Sequence, residues 1–221
     1  MPPSDLWLGY GSSAETYVDS GKEHLDQMLA IAPLPGAVGD RSQRILDFGC
    51  GGGRMLRHLL PWVDHSEIWG MDISARHINW LKTQLSPPFH FATNTTIPHL
   101  PFSDGYFDYI YCGSLFTHIE DLAESWFLEV ARIIRPGGTF YCTLHDEHAA
   151  EVVVKLGIAL ADTIDHDPTQ VRGIAVIGRD SESSVFYHST YLRNLFSTMF
   201  EIVRVEHEAY GYQTAWVLRK K

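Results

Sequence analysis

Cysteine is scarce in this chain of 221 residues: Cys50, Cys112 and Cys142 are all there are. An odd number, with two of the three inside apparent strands, reads as buried reduced thiols rather than a disulfide framework or a zinc site. Basic charge is also short. Lys and Arg number 17 against 27 Asp and Glu, for a formal net charge of -10. A nucleic-acid binder shows a basic face, so no nucleic-acid partner is expected. Long apolar runs are missing too: Lys155 interrupts the most apolar stretch, and no segment reaches membrane-spanning length. No basic, then apolar, then small-residue leader opens the sequence, whose first basic residue is Lys22, so the expected compartment is the cytosol. Internal repeats and low-complexity stretches are absent. The length suits one α/β domain with decorations.

What is present is organised around Arg44 to Arg54, R-I-L-D-F-G-C-G-G-G-R. Ile45, Leu46 and Phe48 read as a buried strand; Gly49, Gly51, Gly52 and Gly53 turn the chain; Met55 to Leu60 continues with helical character until Pro61. Strand, glycine turn and helix open a doubly wound α/β sheet that binds a nucleoside-containing ligand. The dinucleotide fingerprint wants a third glycine where Arg54 stands, and Asp47 would repel a pyrophosphate from just before the turn. A ligand with no phosphate and a positively charged end suits Asp47 better.

The pattern D-x-G-x-G-x-G resembles motif I of the class I S-adenosylmethionine-dependent methyltransferases. Other landmarks agree: Asp72, a little over twenty residues beyond the first glycine, then Leu100-Pro101-Phe102, Phe107-Asp108 and the Pro136-Gly137-Gly138 turn. Each alone is common, and as a set they are specific. The resemblance covers about 44–144 and the last hairpin. It implies a Rossmann-like methyltransferase fold, a mostly parallel seven-stranded sheet with a C-terminal antiparallel hairpin, with S-adenosyl-L-methionine as cofactor and a small-molecule acceptor.

The rest of the chain reads accordingly. Residues 1–43 form a helical segment, with Val18, Leu25, Met28 and Leu29 at amphipathic spacing in one or two helices between Glu15 and Ile31. Its aromatics Trp7, Tyr10 and Tyr17 either pack or form a lid over the ligand. Residues 44–221 are the cofactor-binding domain. Strands are predicted at Glu67–Asp72, Phe89–Ala92, Phe107–Cys112 and Thr139–Leu144, with helices after Ser74 and from Asp121 to Ile134. A helix over Tyr191–Met199 and strands at Phe200–Val205 and Gln213–Leu218 complete the fold. An insertion at about 146–188 holds a helix from Glu151 to Ala161, an acidic turn at Asp162–Pro168 and a short strand pair; it lies over the carboxyl edge of the sheet, where specificity is built.

The candidate cofactor residues follow the resemblance. Asp47 faces the amino end of the methionine moiety, and Gly49, Cys50, Gly51 and Gly53 bring backbone close to it. Asp72, followed by Ile73, accepts from the ribose hydroxyls. Where the family carries an acidic residue for the adenine amino group this chain offers Asn94 and Thr95, and an amide can accept from that group and donate to a ring nitrogen. The backbone at Cys112 and Gly113 lines the methionine arm. His118 either faces the acceptor as a base or packs beside the cofactor. His145 and Asp146, at the end of the fifth strand, are candidates for a base or a substrate contact. Two histidines and a carboxylate within His145–His148 also make a weak metal pattern, but polar strand ends are usually loop caps, and no metal is expected. Two competing readings stand: a non-catalytic module that binds the cofactor, and a nucleotide-dependent oxidoreductase, which Asp47, Arg54 and the terminal hairpin disfavour.

Overall fold

The computed structural model describes residues 1–36, 43–157, 173–177 and 184–221. Its centre is a seven-stranded sheet. The strands are β1 (Gln43–Phe48), β2 (Ser66–Asp72), β3 (His90–Thr93), β4 (Phe107–Cys112), β5 (Ile134–Leu144), β8 (Phe200–Tyr210) and β9 (Gln213–Lys220). They lie in the order β3-β2-β1-β4-β5-β9-β8. Neighbours from β3 to β5 are parallel, while β9 runs antiparallel to both β5 and β8. A second, two-stranded sheet pairs β6 (Ile174–Ile177) with β7 (Ser184–Tyr187). The seven-stranded order with its closing hairpin is the arrangement expected from the sequence.

Burial explains the strands. Every residue of β4 is buried, as a central strand covered on both faces requires. Successive residues serve opposite layers. Leu46, Phe48, Ile110, Cys112 and Phe140 join Trp126, Phe127 and Val130 of α3 (Ala123–Ile133) and Phe196 of α5 (Ser189–Ser197). Ile45, Tyr109, Tyr111 and Tyr141 join Leu25 and Met28 of α1 (Ala14–Ile31) with Ile78 and Leu81 of α2 (Ala75–Gln84). All three cysteines are buried and free.

Helix α1 is one continuous helix. Ser13 and Thr16 form a reciprocal capping box at its start, and Gly21 lets it settle on the glycine turn. A Cβ there would lie 2.2 Å from the Arg54 carbonyl oxygen, a clash with backbone that cannot give way. Ser74 caps α2, its hydroxyl accepting from the His77 N–H. Helix α4 (Glu147–Leu156) is capped by Asp146, and α5 by His188, whose ring accepts from Thr190 N–H.

Several expected boundaries shift. The chain continues through Pro61 as a 3-10 helix over Leu56–Trp62, because a 3-10 turn tolerates a proline that an α-helix would not. Strand β5 begins directly at Ile134, five residues ahead of Thr139, after α3 ends. Strand β8 extends to Tyr210, absorbing the expected loop as a register shift between Glu206 and Tyr210. The helix expected from Glu151 to Ala161 begins at Glu147 and ends at Leu156, where Gly157 turns into the left-handed region, while the expected acidic turn at Asp162–Pro168 lies outside the described residues.

Strand order places the site. From β1 the chain winds one way through β2 to β3, then returns to the other side of β1 as β4. The carboxyl ends of β1 and β4 therefore diverge into a crevice.

Candidate functional site

Two cavities meet in that crevice. The first, of about 370 Å³, runs from Asp47 and the glycine turn towards Trp7, Tyr10, Tyr17 and Tyr210. The second, of about 590 Å³, is walled by Ile73, Asn94, Thr95, Ile97 and Trp126. Gly49, Asp72, Leu115 and His118 line both and form the joint between them.

The turn is fastened to the end of β2. The N–H groups of Gly49 and Cys50 donate to the Met71 carbonyl at 2.8 and 3.0 Å. Gly51 N–H donates to Asp72 Oδ2 at 2.8 Å, and Ser74 N–H to Asp72 Oδ1 at 2.8 Å. One carboxylate thus ties the glycine turn to the start of α2 and keeps acceptor capacity towards the crevice. Gly51, at φ 49, bends the chain in the left-handed region and presents bare backbone to the first cavity. Gly53 also has positive φ but faces Leu81, so it shapes the turn without lining either cavity.

Asp47 is 4 % exposed and lines the first cavity. Burial pushes its carboxyl up to about 7; the Tyr111 hydroxyl pulls against that, Asp72 adds to it, and Arg54 pulls weakly back. An ammonium in this cavity would restore the charged form. In the second cavity the Asn94 amide donates to the Thr95 carbonyl at 3.0 Å. Its Oδ1 is buried and has no hydrogen-bond partner. An unsatisfied acceptor on a residue that lines a cavity of this size is a place for a ligand N–H.

The loop after β4 closes the crevice. Ser114 takes φ 56, a left-handed conformation rare for a residue with a side chain. It is over-determined by bonds: its N–H donates to Thr143 Oγ1 at 2.8 Å, and its hydroxyl accepts from Gln213 Nε2 at 2.7 Å. Gln213 Oε1 in turn accepts from Thr143 Oγ1 at 2.7 Å. This network, drawn from β5 and β9, fixes the loop on which Gly113, Leu115 and His118 sit. His118 is exposed at the joint of the cavities. Cys112 is fully buried in the core and lines neither cavity.

His145 and Asp146 are not brought to the crevice. The His145 ring is 2 % exposed, wedged between Phe186 and Tyr212 with centroids 4.8 and 5.2 Å away. Burial drives its pKa down to about 3, with His118 adding to the fall and the Val185 backbone opposing it, so it stays neutral. Asp146 is buried beneath α4, with Oδ1 accepting from Ala149 N–H at 3.0 Å. Glu147 accepts from Ser189, and His148 contacts Glu208 at 3.2 Å. Asp146, Glu147 and His148 gather with His207 at a separate cavity away from the crevice, Asp146 Oδ2 lying 4.0 Å from His207 Nδ1, and helix capping takes the other carboxylate oxygen expected near an acceptor.

The sequence singled out neither Ser114 nor the wall around Arg54. Arg54 is 6 % exposed, its guanidinium 3.9 Å from the centre of the Tyr10 ring. It donates to Ser20 Oγ at 3.2 Å, to Tyr210 OH and to His24 Nδ1 at 2.9 Å. Since Arg only donates, that His24 nitrogen is the acceptor. Burial and Arg54 hold the ring neutral, with its pKa down at about 4. The signal for this cluster was Arg54 replacing the third glycine, but its partners are too far apart in sequence to be read from it.

Residues 46–142 match the family model described as a methyltransferase domain. An uncharacterised methyltransferase of Schizosaccharomyces pombe is 31% identical over 137 residues, covering 52% of this chain and 46% of that protein. The chain spans about half the length, or less, of several curated relatives it matches. Among solved structures, a Pyrococcus horikoshii OT3 protein is 23% identical with a TM-score of 0.65, covering 95% of this chain and 93% of that one. The Burkholderia thailandensis 1,6-didemethyltoxoflavin-N1-methyltransferase, solved with 1,6-didemethyltoxoflavin and S-adenosylhomocysteine, is 15% identical with a TM-score of 0.63. It covers 99% of this chain and 86% of that one. Residues 46–142 thus match a methyltransferase domain, and the motif set and strand order resemble those of the class I S-adenosylmethionine-dependent methyltransferases.

Proposed function

We propose that the chain is an S-adenosylmethionine-dependent methyltransferase acting on a small-molecule acceptor. One observation carries the reading: a continuous crevice with buried Asp47 in one arm, Asp72 at the joint and the unsatisfied Asn94 Oδ1 in the other. These residues fit the cofactor piece by piece. Asp47 meets the ammonium of the methionine moiety, with Gly51 and Gly113 giving it bare backbone. Asp72 accepts from the ribose hydroxyls while its backbone bonds hold it in place. Asn94 Oδ1 accepts from the adenine amino group, beside Ile73 and Thr95.

When bound, the cofactor supplies a sulfonium methyl group already activated for displacement. Held by Asp47, Asp72 and Asn94, it would give that methyl to an acceptor lone pair and be left as S-adenosylhomocysteine. The protein's work is to align the acceptor and exclude water. The first cavity suits that work, with Trp7, Tyr10 and Tyr210 as an aromatic wall. The N-terminal segment acts as a lid: Leu6 and Leu8 line the cavity, and Trp7 stacks on Tyr17 at 5.4 Å. His118, at the joint, faces the acceptor and takes its proton where the acceptor is protonated at working pH. The three buried free thiols and the formal net charge of -10 fit a cytosolic enzyme with no nucleic-acid substrate. Among the described residues no helix is long and apolar enough to cross a membrane.

Calorimetry tests the reading. S-adenosylhomocysteine should bind in the micromolar range, roughly 8 kcal/mol, and NAD far more weakly. Tight NAD binding without any response to S-adenosylhomocysteine would contradict it. Binding with no methyl turnover across acceptors would leave a cofactor-binding module.

A further inference from the structure

The cavity bounded by α4, α5, β8 and β9 shares no lining residue with the crevice. It encloses about 360 Å³, room for a small molecule. Trp216 of β9 lines it and is fully buried, and its indole Nε1 has no hydrogen-bond partner. An indole N–H can only donate, and leaving a buried donor unpaired is costly. Arg193 of α5 lines the same cavity, its guanidinium 5.3 Å from the centre of the Trp216 ring. No hydrogen bond or ion pair joins Arg193 to another group among the described residues.

The neighbouring polar groups are engaged elsewhere. Asp146 Oδ1 accepts from Ala149 N–H at 3.0 Å, and its Oδ2 lies 4.0 Å from His207 Nδ1. Glu147 accepts from both the N–H and the hydroxyl of Ser189. His148 Nε2 is 3.2 Å from Glu208 Oε1, and His207 Nδ1 is 3.0 Å from Thr214 Oγ1. Glu151 is exposed, where solvent and salt screen its charge. Two adjacent donors are left without an acceptor, the indole N–H and the guanidinium fork. An oxyanion answers both, since the fork takes two of its lone pairs and the indole a third. We propose that this cavity is a second ligand site, separate from the crevice, that binds a small oxyanion, a carboxylate or a phosphate, between Arg193 and Trp216. The site stands whether or not the crevice holds S-adenosylmethionine.

The indole N–H resonances of nitrogen-15-labelled protein test this. Six tryptophans give six signals, and Trp216→Phe removes the one that belongs to Trp216. Sodium phosphate or sodium acetate, added at fixed pH with sodium chloride holding the ionic strength, should shift that signal saturably. The expected dissociation constant is on the order of 1 mM, and the tighter of the two anions is the preferred oxyanion. Arg193→Gln, a change at an exposed position that keeps the fold, should weaken binding about tenfold or more. Should Trp216→Phe fail to fold, the signal that Arg193→Gln displaces identifies the same ring, because the guanidinium lies over it. No saturable shift with either anion, or an undiminished affinity in Arg193→Gln, overturns the proposal. Direct competition between the anion and S-adenosylhomocysteine overturns it too, by putting the anion in the crevice. A protein that binds the anion here but no S-adenosylhomocysteine contradicts the methyltransferase reading alone, so the two failures are distinguishable.

Discussion

Two sets of polar residues stand at the carboxyl ends of neighbouring strands and meet opposite fates. After β1 and β2 come Asp47 and Asp72; after β5 come His145 and Asp146. All four are the residue types that catalytic and binding sites use, and all sit where an open α/β sheet places its ligands. Asp47 and Asp72 keep unused acceptor capacity towards a cavity. Asp146 puts a carboxylate oxygen into capping α4, and His145 is packed between two aromatic rings. What separates a site from a strand end here is access to the crevice: Asp47 and Asp72 line it, and His145 and Asp146 do not.

Substitutions can break or sharpen that contrast. The largest effect expected is on stability. His145→Ala removes a buried ring and should cost about 2–4 kcal/mol in chemical denaturation, leaving S-adenosylhomocysteine affinity of the folded protein unchanged. A weakened ligand would return His145 to the site. Asp72→Ala is expected to do the reverse, weakening the ligand by about 1.5–3 kcal/mol by calorimetry without unfolding the domain. Because Asp72 also holds Gly51 N–H, part of that loss comes through the turn. An unchanged dissociation constant would remove Asp72 from the ligand's contacts. Asp146→Ala should lose a helix cap, about 1 kcal/mol of stability in the same denaturation experiment, with no change in binding.

Asp47 adds a pH signature of defined sign. A carboxylate raised from 3.8 to about 7 by burial burdens the folded state when it is ionised. The unfolded chain prefers the charged form, so the burden is absent below pH 3.8, grows as pH rises towards 7 and is complete above it. It amounts to about 4 kcal/mol at most, at 1.36 kcal/mol per pKa unit. Asp47→Asn should therefore stabilise the free protein most above pH 7 and hardly at pH 4, in thermal melts at both values. Ligand affinity should run the other way, weakening up to about tenfold per pH unit as pH falls below 7, because the ammonium needs the carboxylate ionised. A pH-independent dissociation constant between pH 6 and 8 would break the link between Asp47 and that ammonium.

Much of the fold was legible in the sequence because its signals are local. Buried apolar runs, the glycine turn, Ser74 as a cap and the closing hairpin each follow from residues within a few positions of one another. Asp72 was singled out by its spacing from the first glycine and Asn94 by the resemblance, and the structure puts the two at the ends of consecutive strands on the crevice. Long-range partnerships were not. Arg54 is held by Ser20, His24 and Tyr210, and in sequence it registered only as a missing glycine. The left-handed Ser114 depends on Thr143 and Gln213, contributed by two other strands. His145 reads as a base in sequence, and only the packing of Phe186 and Tyr212 shows it turned away from the crevice.

The account rests on Asp47 reading the charged end of the ligand rather than fixing the turn, and one calorimetric comparison bears on that directly. S-adenosylhomocysteine and adenosine are titrated into the unaltered protein and into Asp47→Asn at pH 8, where the carboxylate is ionised. The expected result is a loss on the order of 1–3 kcal/mol for S-adenosylhomocysteine and almost none for adenosine, which lacks the amino-acid arm. Equal weakening of both ligands would make Asp47 a support for the glycine turn and contradict the account.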